Sequence, residues 1–453
     1  MATLGRDQPT SSNYHPEVPK PKSSLVDDGL SGQALAAASH VTRSLIASTG
    51  LRAVAVFLER DDYVRVLEDL TRLNASMMLE CLSAFVRQSE GQIVFATRID
   101  NDGKIHDVTQ FTVTVAGQTH LLLSEGELFV LFPNERVVIA AQLTPYSNSE
   151  RFTVSVRSNL DSVEFFKRWH QFAQKNNYLR GQSFFADGEI IERSKSCTWD
   201  NILLSQAAKR VIQTHVQGFL KNRHRLRDLG VKCRRGLILS GPPGTGKTLL
   251  GKVLSSTLDA SFMWVLPRHI VNQKSFQEIL TIARYVAPTV IFMEDIDLFA
   301  EEREGNKWLG LGELMNQLDG ALENEDIVTI ATTNRLDVIE KALRNRPGRF
   351  DRIVEIGAMD EMCRREMLAR VLSRAEINAG DMAHLVSTTE GYTGAQIAEL
   401  ANTVYILAVD DENAAVSGGG GESGCISVDR QLIDRAVDEF RVERKARLGF
   451  HAA

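Results

Sequence analysis

At 453 residues the chain exceeds what one hydrophobic core usually organises, so two or three domains are expected. Its 43% apolar and 24% charged residues exclude a wholly disordered chain, and a net charge of −6 supplies no general basic field, which argues against nucleic acid as the main ligand. No stretch of about 18 apolar residues runs uncharged, so no membrane insertion is expected and the chain reads as soluble.

Residues 1–28 are rich in Pro, Ser, Asn and Lys, lack a hydrophobic period, and read as a disordered tail rather than a signal peptide. From Gln33 to Gln88 apolar residues fall at helical spacing, first Val64, Leu67, Leu70 and Leu73, then Met77, Leu79, Leu82 and Phe85. Two or three helices are predicted there. Between Gly91 and Val156 the period moves towards two, with turn residues such as Asn101-Asp102-Gly103, which predicts a small antiparallel sheet. Asp161 then leads a helix carrying Phe165, Phe166, Trp169 and Phe172. Residues 29–190 are therefore expected to form an α+β domain. It shows no catalytic constellation, so binding of a protein client or adaptor is assigned to it by elimination.

The segment Ser183 to Cys197 reads as a linker. Beyond it strands and helices alternate: GLILS, a helix from Lys247, SFMWVL, a helix from Ser275 to Val286, TVIFMED, a helix near Leu309 to Leu318, and IVTIATTN. That rhythm predicts an α/β fold over 191–357, a parallel sheet with helices on both faces. After about Ala358 the strands stop, and 358–453 reads as a helical subdomain with a Gly-rich loop at 416–424. Cys81, Cys197, Cys233, Cys363 and Cys425 lie far apart without a CxxC pair, which suits a reducing, cytoplasmic setting.

The chemistry concentrates in four places. The run GPPGTGKT, comprising Gly241, Pro242, Pro243, Gly244, Thr245, Gly246, Lys247 and Thr248, fits a Walker A phosphate-binding loop between a strand and a helix. Its glycines let backbone N–H groups turn towards phosphate oxygens, and the following helix aims its positive N-terminus at the same place. Lys247 is read as a surface charge directed at the β- and γ-phosphates, and the Thr248 hydroxyl as a Mg²⁺ ligand. In VIFMEDID an apolar strand ends in acids. Neighbouring side chains on a strand face opposite ways, so Glu294 and Asp295 have different tasks. By position Glu294 serves the metal and Asp295 the attacking water, with Asp297 as the alternative. Asn334, at the end of IVTIATTN, can hydrogen-bond the γ-phosphate or the water, or can be a plain turn residue. Arg346 and Arg349 bracket a Pro-Gly turn, either as surface ion-pair partners or as charges completing a neighbour's transition state.

From about Trp199 to Phe450 the sequence resembles the AAA family of AAA+ ATPases. The motifs come in order: TWDNI, GPPGTGKT, VIFMEDID, TTNR with RPGRFDR, GYTGAQI, and a terminal helix ending RLGF. The resemblance implies a P-loop NTPase domain with a C-terminal helical lid that hydrolyses ATP with Mg²⁺. It also implies Asn334 as sensor 1, Arg346 and Arg349 as fingers acting in trans, and Gly394 and Ala395 beside the nucleotide. Members form homo-oligomeric rings, usually hexamers, that remodel protein clients. Three departures qualify it. Glu294-Asp295 inverts the usual Asp-Glu, as in the mitochondrial AAA translocase that assembles respiratory complexes, a membrane-anchored relative. The segment Phe262 to Arg284 is shorter than in threading AAA proteins, with His269, Ile270 and Val271 where a pore tripeptide would stand. No HExxH of FtsH-type proteases occurs, so peptide cleavage by this chain is not expected. The leading expectation is an ATP-driven remodeller. The alternatives are a slowly hydrolysing, nucleotide-gated assembly scaffold and an ATPase subunit whose peptidase is a separate chain.

Overall fold

The computed structural model describes residues 3–5, 51–60, 62–99, 105–115, 118–146, 149–231, 234–299, 326–337, 339, 352–416 and 426–449. The expected helix near Leu309 to Leu318, Arg346, Arg349 and the Gly-rich loop beyond Val416 lie outside these residues. Contacts divide the chain into two units at Gln182/Ser183.

In the first unit the period-two residues form the expected antiparallel sheet, and the sheet is larger than that period indicates. Its strands are β1 (Thr3–Gly5), β2 (Arg65–Thr71), β3 (Gln92–Ile99), β4 (Ile105–His106), β5 (Thr109–Val115), β6 (Gln118–Leu131), β7 (Arg136–Tyr146) and β8 (Ser149–Ser158). They lie in the order β1-β2-β8-β7-β6-β3-β4, with β5 also on β6. Two expectations change here. Thr3–Gly5, within the presumed disordered tail, pairs with β2. Residues 65–71, read as helical, pair with β8 from Arg65↔Arg157 to Thr71↔Arg151. The three-residue spacing of Val64, Leu67 and Leu70 does not mark a helical face: Val66 and Leu70 are buried on one face of the strand while Val64, before it, is exposed. Thr71 ends the strand by accepting the Asn74 N–H at 3.2 Å, the N-cap bond that starts helix α2.

Helices α1 (Leu51–Leu58), α2 (Arg72–Glu80), α3 (Leu82–Gln88) and α4 (Ser162–Asn176) complete the unit. Asp161 caps α4 as expected, accepting from the N–H groups of Val163 and Glu164. Of the four aromatics on α4, Phe165 and Trp169 are fully buried. The Trp169 indole N–H reaches the Met78 carbonyl at 3.2 Å, so its polar atom is satisfied inside the core.

The second unit is built on a parallel sheet whose order is β10-β9-β12-β13-β14-β11-β15. Its strands are β9 (Ser183–Phe185), β10 (Ile190–Ile191), β11 (Arg234–Ser240), β12 (Ser261–Val265), β13 (Thr289–Met293), β14 (Ile327–Thr333) and β15 (Arg352–Glu355). β12 and β13 are buried at every position, as strands covered on both faces must be. The supposed linker is thus partly sheet: β9 runs parallel to β12, and β10 turns back antiparallel on β9. Runs as short as SFF and II carry no period of their own. What holds them is Phe184, fully buried, and the Trp264 indole N–H bonded to Ser183 Oγ at 3.1 Å. Helix α5 (Gln206–Ile212) passes through a π-helical turn, Gln213–Gly218, into α6 (Phe219–Asp228), followed by α7 (Lys247–Thr257) and α8 (Gln273–Tyr285).

The last part of this unit is helical, with α9 (Glu361–Val371), α10 (Ala379–Thr388), α11 (Gly394–Val416) and α12 (Arg430–Gly449). Strands do not stop entirely, since Ala375–Glu376 (β16) pairs with Ile426–Ser427 (β17). Leu368, Leu385, Ile397, Leu400, Val404 and Ile433 form the buried centre of this bundle. Buried Arg364 donates to the carbonyls of Met359 and Val386, stitching the start of the bundle to α10.

Candidate nucleotide site

β11 and β14 run parallel in register from Arg234↔Ile327 to Ser240↔Thr333, and β13 pairs with β14 from Thr289↔Ile327. The C-terminal ends of the three strands therefore lie side by side, the edge at which open α/β sheets carry their sites. At that edge the Walker A segment leaves β11. Gly241 donates its N–H to the Thr333 carbonyl at 3.2 Å. A Cβ at Gly241 would lie 2.0 Å from the Ile356 backbone oxygen, which only glycine avoids. The loop closes on Gly246, the N-cap of α7, whose left-handed φ of 97° favours glycine.

Lys247, the first residue of α7, is not the surface charge expected from the sequence. It is 7% exposed, because the loop folds around it, and its Nζ donates to the carbonyls of Gly241 at 2.7 Å and Pro242 at 2.9 Å. Thr245 Oγ1 donates to the same Pro242 carbonyl at 2.9 Å. Burial holds the ammonium below the ordinary lysine range, opposed first by the field of Asp295 and then by that of Asp297. Pro242, Pro243 and Gly244 are exposed, as is Thr248, the second residue of α7.

The two acids that follow β13 have different surroundings. Glu294 donates its N–H to the Val265 carbonyl, while its Oε1 is buried and meets no hydrogen-bond partner among the described residues. Glu294 and Thr248 line one cleft of about 430 Å³, with Lys252 and Trp264 among its other walls. Asp295 faces elsewhere. Its backbone is left-handed, with φ at 49°, and its N–H donates to Thr332 Oγ1 at 3.0 Å. Asp295 Oδ1 accepts from the Asn334 side-chain amide at 3.1 Å. Asp297, 6% exposed, accepts the Asn334 backbone N–H at 3.2 Å. Asn334 is thus more than a turn residue.

The helical bundle reaches the loop directly. Ala395 donates its N–H to the Gly244 carbonyl at 3.1 Å, and a Cβ at Gly244 would stand 2.7 Å from that of Ala395. Arg370 on α9 donates to the Asp200 carbonyl at 2.6 Å. Walker A residues, Glu294, Asp295, Asn334, Gly394 and Ala395 are therefore brought to one edge of the sheet. Ile356 and Arg370 were not singled out in the sequence, because Ile356 acts through its main-chain oxygen and Arg370 meets a carbonyl far away in the chain.

A family model described as "ATPase family associated with various cellular activities (AAA)" matches residues 237–358, from β11 through β15. The chain carries an AAA ATPase domain. Relatives of this AAA domain include the chloroplastic ATP-dependent zinc metalloprotease FTSH 9 of Arabidopsis thaliana, 32% identical over 238 residues, 49% of this chain and 29% of that protein. The mitochondrial inner membrane m-AAA protease component YTA10 of Saccharomyces cerevisiae is 35% identical over 47% of this chain and 30% of its own length. A cell division cycle protein 48 homolog of Archaeoglobus fulgidus is 34% identical over 49% of this chain and 32% of its own length. The chain thus spans less than a third of each of these relatives. Among the described residues no helix is long and apolar enough to cross a membrane.

Proposed function

We propose that the AAA domain binds Mg·ATP and hydrolyses it within a homo-oligomeric ring, most simply a hexamer, that remodels a protein client held through the N-terminal domain expected from the sequence at residues 29–190. The observation that supports this best is the convergence of a buried Lys247 ammonium and the Asn334-bound Asp295 carboxylate at the end of one parallel sheet. Loop N–H groups and the start of α7 would receive the phosphates, with Lys247 supplying charge at the β- and γ-positions. The residues fit a magnesium ion: Thr248 and Glu294 carry hard oxygen donors and line one cleft, and Glu294 Oε1 meets no hydrogen-bond partner among the described residues. Among the described residues no three His, Cys, Asp or Glu groups could hold a metal alone, which suits an ion that arrives with phosphate oxygens. When bound, Mg²⁺ neutralises charge on the transferring phosphate. Asp295 would accept the proton of the attacking water, and Asn334 would orient both. Gly394 and Ala395 would report the state of the loop to the lid. The unpaired thiols of Cys81, Cys197 and Cys363 suit a reducing cytoplasm.

One observation favours the slower, nucleotide-gated scaffold as a second reading. Asp295 is one methylene shorter than glutamate and already shares an oxygen with Asn334. Turnover measured with and without added client proteins separates the two readings. The roles of the acids are tested by Glu294→Gln and Asp295→Asn. The first is expected to raise the Mg²⁺ needed for half-maximal activity by about tenfold or more. The second should keep nucleotide affinity and lower hydrolysis on the order of 10²–10⁴-fold. Wild-type turnover by Asp295→Asn would remove Asp295 from the water-activating role.

A further inference from the structure

Asp295 and Asp297 both stand as carboxylates able in principle to activate water, and their surroundings separate them. Asp297 is 6% exposed, and one oxygen is engaged by the backbone N–H of Asn334. Asp295 is less buried and meets the side-chain amide of the same residue. A single asparagine therefore touches both acids, one through its main chain and the other through its side chain. Asn334 itself is exposed and is the first residue past β14. Without a fixed backbone, an exposed amide at a strand end can take several rotamers, only some of which point at Asp295.

We infer that Asp297 is a positioning residue for hydrolysis: by holding the Asn334 N–H it fixes the turn after β14, and through the Asn334 amide it fixes the Asp295 carboxylate. This rests on the reading of Asp295 as the group that activates water. The short side chain makes the arrangement consequential. Aspartate has one rotatable bond fewer than glutamate with which to correct an error of aim, and a misplacement of about 1 Å can cost on the order of 10²-fold in rate. The left-handed backbone at Asp295 adds to this, since it stands two residues before Asp297 and sets the direction in which the chain carries the Asp295 side chain out of β13.

The test uses the full chain with Asp297→Ala, Asp297→Asn, Asn334→Ala and the Asp297→Ala/Asn334→Ala pair, reading kcat, KM and nucleotide affinity. Asp297→Ala is expected to lower kcat by about 10- to 100-fold with affinity changed less than about twofold. Asp297→Asn keeps an oxygen that can accept the Asn334 N–H, so it should recover most of the rate. In the paired variant Asp297→Ala should add nothing to Asn334→Ala, because both act along one path. Asp297→Asn as inactive as Asp295→Asn would make Asp297 a base and overturn the inference. So would losses that multiply in the paired variant. Should Asp297→Ala not fold, the recovery in Asp297→Asn and its pairing with Asn334→Ala decide the same question. Full turnover by Asp295→Asn is a separate outcome, which removes the underlying reading whatever Asp297 does.

Discussion

Replacing Lys247 by methionine is expected to abolish the thermal stabilisation that Mg·ATP gives the protein, while the unfolding temperature without nucleotide stays the same or rises. The two halves have different causes. The ammonium is the one cation held inside the described loop, so its removal takes the charge that would meet the β- and γ-phosphates. A ligand at a hundredfold excess over its Kd stabilises the folded state by about 2.7 kcal/mol, and that increment should vanish. The unliganded protein, by contrast, bears a cost for burying the charge, seen in the lowered pKa of Lys247. A lysine with a folded pKa below its unfolded value gives up its proton first in the folded state. The unfolded chain then binds more protons, so stability rises with pH from the folded pKa up to the unfolded value of about 10.4. In Lys247→Met that rise should be missing. Thermal unfolding with and without Mg·ATP, followed from pH 7 to 10, reads both effects; undiminished stabilisation by nucleotide would remove the Walker A assignment.

The second large effect is expected at Arg349. If Arg346 and Arg349 act on the nucleotide of a neighbouring subunit, Arg349→Ala should lose about 10³–10⁵ in turnover while its own loop still binds ATP. Head-to-tail contacts close into rings when the rotation closes, so each site borrows a charge from the next copy. Mixing then becomes diagnostic. Lys247→Met chains keep their arginines and Arg349→Ala chains keep their loops, so mixed rings contain sites where an intact loop faces an intact arginine. Such mixtures should regain part of the activity that both parents lack, and wild-type turnover per chain should rise steeply with concentration. Co-assembled mixtures that stay at the parental rate would assign these arginines to surface ion pairs.

How far the sequence carried depended on how local each feature is. Walker A was legible because its glycines, lysine and threonine are contiguous and sit between a strand and a helix that each carry their own period. The burial of Lys247 was not, since it follows from two carbonyls of the folded loop turning back on the side chain. Glu294 and Asp295 were given different tasks by strand alternation, but both lie past the end of β13 and Asp295 is left-handed, so their different surroundings come from the turn. That Asn334 bridges Asp295 and Asp297 needed the pairing of β13 with β14, which joins residues far apart in the chain. Residues 65–71 were misread because a three-residue apolar spacing also fits a strand whose register is set by β8, not by its own sequence. The lid was readable as helices, and the resemblance placed Ala395 beside the nucleotide, but its main-chain bond to Gly244 became visible only in the fold.

Strand β9 has a bearing on how the protein can be divided. The family match begins at residue 237 and the resemblance near Trp199, so either suggests a place to start an isolated ATPase fragment. Both lie after β9 and β10. Such a fragment would bare the side of β12 from Phe262 to Trp264 and take Ser183 Oγ from the Trp264 indole. An uncovered apolar strand edge offers unpaired main-chain groups to any passing chain, the usual start of aggregation. A fragment begun at Ser183 retains the cover, which makes these few residues the start of the parallel-sheet unit.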